Sequence, residues 1–113
     1  MEVINLTPHN ITLVYEGGNA FIPASGKVCR VLTQTYDSHN IVLLNGMAIP
    51  VVKTRFGEIE GLPPKQNGKV YIVSQIVRSA LTAKGEDRPD VVVPTDFIRD
   101  ENGNIIGCRK FSV

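Results

Sequence analysis

The feature that most constrains this chain is the Asn102-Gly103 pair together with the strand-like stretches on either side of it, T-D-F-I-R (residues 95–99) and I-I-G-C-R-K-F (residues 105–111). Asn-Gly between such runs is a strong short-range hairpin signal, because the tight turn whose twist matches paired strands needs positive φ at both central residues. The hairpin fixes a register. Whether the loop is those two residues or the four from Glu101 to Asn104, Ile98 faces Gly107, Phe97 faces Cys108 and Asp96 faces Arg109. Gly107 then contributes no side chain between Ile98 and Arg109, and a glycine inside a strand often marks a close approach by a ligand or another backbone.

Upstream, the period is mostly that of strands. Glu2 to Leu6 reads as a first strand punctuated by Thr7-Pro8, with His9 and Asn10 at the corner. Ile11, Leu13 and Tyr15 alternate with Thr12, Val14 and Glu16 up to a Gly17-Gly18 turn, and Phe21-Ile22 return from it. Val28 to Thr33 follows as another strand, with Cys29 and Val31 on one face and Arg30 on the other. Polar Gln34 to Asn40 reads as a loop, and Ile41 to Gly61 as two or three short strands broken at Asn45-Gly46 and Pro50. The one helical period is Val73, Ile76, Val77, Ala80 and Leu81, framed by Ser74 as N-cap and by Lys84-Gly85 as the stop, which predicts a helix over about 74–84. The sum is a single domain, 1–113, of the α+β class: a mostly antiparallel, barrel-like curled β-sheet with one main helix.

Several kinds of chemistry are disfavoured. Two histidines and two distant cysteines offer no zinc-binding spacing, so no metal and no cofactor are expected. Asp37-Ser38-His39 holds the residue types of a hydrolytic triad, but sequence neighbours rarely face one another, and it reads as a polar turn. Glu58 and Glu60 read as a solvated strand face, and no glycine-rich phosphate loop is present. No ionisable cluster assembles for catalysis, so the chain reads as a binding or assembly protein and not an enzyme. A net charge of +1 gives no general affinity for a duplex nucleic acid, though local arginines can still grip one small phosphate ligand. No apolar run approaches the length of a membrane span, and M-E-V-I-N-L lacks the basic and apolar regions of a signal peptide, so a cytoplasmic protein with both cysteines reduced is expected. Among the arginines, Arg109 stands out beside Gly107 in a strand, with neutralisation of Asp96 as its plainer role.

Four stretches can be taken together: N-L-T-P-H (Asn5 to His9), Y-I-V-S (Tyr71 to Ser74), R-P-D-V-V-V-P (Arg88 to Pro94) and R-D-E-N-G-N-I-I-G-C-R-K-F (Arg99 to Phe111). With them the chain resembles the Thoeris anti-defence sponge proteins of phages, which sequester cyclic ADP-ribose isomers without cleaving them. The resemblance implies a homo-oligomer, dimer or hexamer, in the cytoplasm of the infected bacterial host, with a small cyclic nucleotide signal as partner and cyclic oligonucleotides as further ligands. It places Arg109 at the ligand. Residue type adds Arg30 and Arg55 as further cations, Phe56 and Phe111 as stacking surfaces, Gly107 as the space beside Arg109, and His9 at its corner. The competing readings are a phage structural or assembly protein and a small nucleotide-processing enzyme.

Overall fold

A computed structural model describes residues 1–113. In chain order the elements are β1 (Glu2–Asn5), β2 (Ile11–Tyr15), β3 (Gly18–Ile22), β4 (Arg30–Val42), β5 (Ala48–Glu60), β6 (Lys69–Ile72), α1 (Gln75–Ala83), β7 (Val91–Arg99) and β8 (Ile105–Ser112). Six strands form one sheet in the order β1-β6-β7-β8-β2-β3, while β4 and β5 pair only with each other. The fold is α+β with one helix and a strongly curled half-barrel sheet, and the longest ladders, β4 with β5 and β7 with β8, are antiparallel. Within the curled sheet β1, β6 and β7 run parallel, and α1 makes the crossover from β6 to β7.

The V-V-V run follows from this placement. Val91 and Val93 join Leu6, Cys29, Tyr71, Val73, Val77 and Leu81 under the helix, whereas Val92 joins Ile11, Ile72 and Cys108 on the opposite face. A central strand covered on both faces needs no polar alternation. Each fully buried Val or Leu here contributes about 1.5–3 kcal/mol by leaving water.

The curl is clasped by one side chain. Asn5, on the β1 edge, donates from Nδ2 to the carbonyl of Ile22 on the β3 edge at 3.2 Å and to that of His9 at 2.7 Å. Its Oδ1 accepts from the Thr7 amide at 3.0 Å and the Thr7 hydroxyl at 2.7 Å. Asn5 is 1% exposed, and the two bonds it accepts from Thr7 are buried, where a lost partner is costly. A second polar lock is Arg88, which bonds both Asp90 oxygens at 3.0 Å and the Pro63 carbonyl at 2.8 Å. Hydrogen bonding from Arg88 holds the Asp90 carboxyl below the ordinary carboxylate range.

The C-terminal hairpin has the expected register, Phe97 opposite Cys108 and Ile98 opposite Gly107. Its turn differs from the tight Asn-Gly form. Only Gly103 has positive φ, and the loop spans residues 100–104, closed by Asp100 Oδ1 accepting from the amides of Asn102 and Asn104 at 2.9 Å. The carboxylate supplies a wider turn, and the odd residue is absorbed by a register shift that pairs Arg99 with Ile105.

The middle of the chain departs most from expectation. Gln34 to Asn40 is strand, and Ala48 to Glu60 is one strand of 13 residues with the Asn45-Gly46 turn as its hairpin tip. Strand polarity is ambiguous here because the ribbon projects from the core, leaving no buried face to impose alternation. Pro50 is tolerated because an edge strand needs no donor on its outer side. The projection shows in the dimensions: the radius of gyration is 17.8 Å, against roughly 13 Å for a close-packed domain of this length. No helix is long and apolar enough to cross a membrane.

Candidate functional site

A cleft of about 760 Å³ falls well within the ~300–1,000 Å³ range of small-molecule sites, and a second, near Leu62 and Leu81, is less than half that size at about 320 Å³. The larger opens where β6 ends and α1 begins. Parallel strands direct their carboxyl ends, and the amino end of the crossover helix, to the same side, which is where open α/β sheets receive ligands. Ser74 is the N-cap but makes no side-chain cap bond, and the first turn carries no acidic residue, so the leading amides of α1 have no side-chain acceptor. Such a terminus favours an anionic group.

The cleft is built from the ends of several elements. Thr7 to Thr12 contribute from the β1–β2 connection and the start of β2, Val73 to Gln75 from the helix start, and Val93, Pro94 and Phe97 of β7 with Ile105 to Cys108 of the neighbouring β8 from the sheet. These residues include no Asp, Glu, Lys or Arg. Phe97, Ile105 and Ile106 are each about half exposed and present apolar surface to whatever enters. Asp96, one residue before Phe97, has φ 52, a left-handed conformation that Asp tolerates better than most residues. The backbone is thus re-aimed immediately before the aromatic wall.

The residues singled out from sequence fall into three places. His9 and Gly107 line the cleft. Gly107 is closely packed: a Cβ there would lie 3.2 Å from the Thr12 carbonyl oxygen and 3.3 Å from Val14 Cγ2, so β2 occupies the space expected for a ligand. What the residue offers the cleft is backbone. Arg109 follows two positions along β8, exposed, with Nη1 3.7 Å from Asp96 Oδ1, the plainer role foreseen for it. Phe111 is half-buried against the core cluster of Ile11, Ile72, Val92 and Cys108.

Arg30, Arg55 and Phe56 lie on the ribbon, away from this group. Arg55 stacks over the Tyr36 ring, 4.7 Å from its centroid, and Arg30 pairs in register with Glu60. Sequence reasoning missed Phe97, Pro94, Ser74 and the Ile105-Ile106 pair. The last had a readable signal, since two adjacent apolar residues on a strand cannot both face one core. Both cysteines are free and buried, and burial raises both thiols above their ordinary range. No group of three His, Cys, Asp or Glu residues is placed to hold a metal ion. No protein-family model, curated protein or solved structure matches the chain.

Proposed function

We propose that this protein binds and sequesters a cyclic ADP-ribose-type nucleotide signal without cleaving it, and so acts as a phage inhibitor of Thoeris immunity. The observation that carries the reading is convergence. The four stretches behind the resemblance are scattered from residue 5 to residue 111, yet each contributes to the same cleft: Thr7 to His9, Val73 and Ser74, Val93 and Pro94, and Ile105 to Cys108. In this reading the base stacks on Phe97 and the Ile105-Ile106 wall, and a phosphate sits at the amino end of α1. Arg109 leaves Asp96 to reach the second phosphate. That release is cheap, because an exposed pair contributes only ~0–1 kcal/mol.

The test is calorimetric titration with cyclic ADP-ribose isomers, followed by chromatography of the released ligand. Binding with the ligand recovered intact is the expected result; turnover would make the protein an enzyme, and no binding by any isomer would overturn the proposal. Phe97→Ala should weaken binding by about ten- to a hundredfold, matching base stacking of roughly 1–3 kcal/mol. Arg109→Ala should do the same through lost charge-assisted bonds, with Arg109→Lys restoring only part because an ammonium cannot reproduce the guanidinium fork. Loss in Arg109→Ala alone, with Phe97→Ala unchanged, would move the ligand from the cleft to the outer face of β8. The second reading, a phage assembly protein, is favoured by one observation, the projecting ribbon.

A further inference from the structure

The corner between β1 and β2 is held from two sides, and one side chain on it has a donor to spare. From beneath, the buried Asn5 donates to the His9 carbonyl at 2.7 Å, while the His9 amide donates to the Thr7 hydroxyl at 3.3 Å. From the side, Asn10 Oδ1 accepts from the Ala24 amide at 3.0 Å, which ties the corner to the segment that follows β3. That bond fixes which end of the Asn10 amide is oxygen, because a backbone N–H can meet only the acceptor. Nδ2 is therefore the free end, and it donates to no protein atom. Asn10 lines the cleft. Gln75, the other side-chain amide there, turns its Nε2 to Ser79 Oγ at 3.3 Å.

We infer that Asn10 is a specificity-determining residue of the cleft: its Nδ2 donates to a phosphate oxygen of the bound nucleotide and so sets which way the ligand lies. The inference rests on the nucleotide reading of the cleft given above. The donor is pre-oriented, since the Ala24 bond and the clasped corner leave the amide little freedom to lose on binding. Its surroundings suit an anion, because no carboxylate lines the cleft to compete for the donor, and the amino end of α1 opens onto the same space. A neutral amide also selects in a way that a lysine would not. It offers one directed bond without attracting anions at large, so a phosphate has to arrive in register with a base on Phe97 to use it, as the few polar groups of an apolar cleft do when they fix a ligand's orientation.

Calorimetric titration of cyclic ADP-ribose isomers into the parent, Asn10→Ala and Asn10→Asp, each with a thermal melt, tests this, because the two readouts should rank the variants in opposite orders. Aspartate keeps the oxygen that the Ala24 amide needs, so Asn10→Asp should melt like the parent and Asn10→Ala slightly lower. Binding should run the other way. Alanine removes one bond to a charged group, a loss of about ten- to a hundredfold, whereas aspartate also sets a carboxylate against the phosphate and should lose more. Asn10 is exposed and outside both core clusters, so neither variant threatens the fold. Asn10→Asp binding as tightly as Asn10→Ala, or more tightly, would overturn the inference and leave the nucleotide reading intact, since the residue would then only tie down the corner. A parent protein that binds none of the isomers would overturn both.

Discussion

Replacing Asn5 with alanine removes the clasp between the two edges of the curled sheet, and its cost can be worked from the bonds. Four contacts disappear, two donated and two accepted. The loss is softened at two places. The Thr7 hydroxyl also lies 3.1 Å from the His9 carbonyl and keeps a partner, and the 3.2 Å bond to Ile22 is only part-buried, so water can replace it. The Thr7 amide has no such substitute: with Thr7 7% exposed, its donor is stranded, at about 1–3 kcal/mol. Adding a net ~0.5–1.5 kcal/mol for the strong bond to His9 gives roughly 3 kcal/mol in all. That is a large share of the ~5–15 kcal/mol that holds a domain together, and should lower the melting temperature by about 10–15 °C. Urea unfolding at fixed protein concentration, with the slope checked against the parent, measures it. Asn5→Asp is the sharper control. It keeps the acceptor for Thr7 but turns a carboxylate oxygen toward two carbonyls, so it should be no more stable than Asn5→Ala. A loss under about 1 kcal/mol for alanine would refute the clasp, because no more than one ordinary hydrogen bond would then be at stake.

Other consequences follow from the same geometry. Asp90→Asn should cost about 2–4 kcal/mol at neutral pH by leaving the part-buried Arg88 without its anion. Because the folded carboxyl titrates below its unfolded value, the stability Asp90 contributes is present above the ordinary Asp range near 3.9 and lost as pH falls through the lower folded value. Denaturant melts from pH 7 downward should therefore converge for parent and variant at acid pH. Gly107→Val should destabilise by about 1–3 kcal/mol through collision with the Thr12 carbonyl, read by thermal melting in the absence of ligand. An unchanged melt would mean that β2 gives way. Cys29 and Cys108 should resist alkylation in the native protein and react promptly in denaturant, as intact-mass measurement with iodoacetamide can follow.

The parts of the fold legible in the sequence are those where local chemistry and burial agree. The helix is readable because Val77, Ala80 and Leu81 meet a core at helical spacing while Ser74 and Lys84-Gly85 mark its ends. The hairpin register is readable because both candidate loops imply the same partners. The ribbon was not. Thr33 to Asn40 carries no one-sided apolar pattern, since neither of its faces meets the core, and period alone cannot separate such a strand from a loop. The parallel crossover was hidden for the converse reason: Val91-Val92-Val93 is buried on both faces and shows no period at all. Of the candidate site, His9 and Gly107 lay within recognisable motifs. Phe97 reached the cleft through the backbone turn at Asp96, which residue type does not announce.

The four motifs do two jobs, and separating them decides how much a resemblance can carry. Their buried and part-buried polar residues, Asn5, Thr7, Arg88 and Asp90, are engaged in bonds within the fold. Others of their residues line the cleft, among them His9, Ser74, Pro94 and Ile105 to Cys108, whereas Arg109, within the fourth motif, lies on β8 beside Asp96. On the proposed function, a chain could therefore keep the buried locks and the fold and yet lose its nucleotide if Phe97 or Arg109 were changed. The buried locks mark the scaffold, and the proposed nucleotide site rests on Phe97, which lies between the motifs, and on Arg109, which lies inside the last one. Melting and titration of Asn5→Ala beside Phe97→Ala separate the two roles, because the first should lose stability while any folded fraction still binds, and the second should melt like the parent and bind poorly.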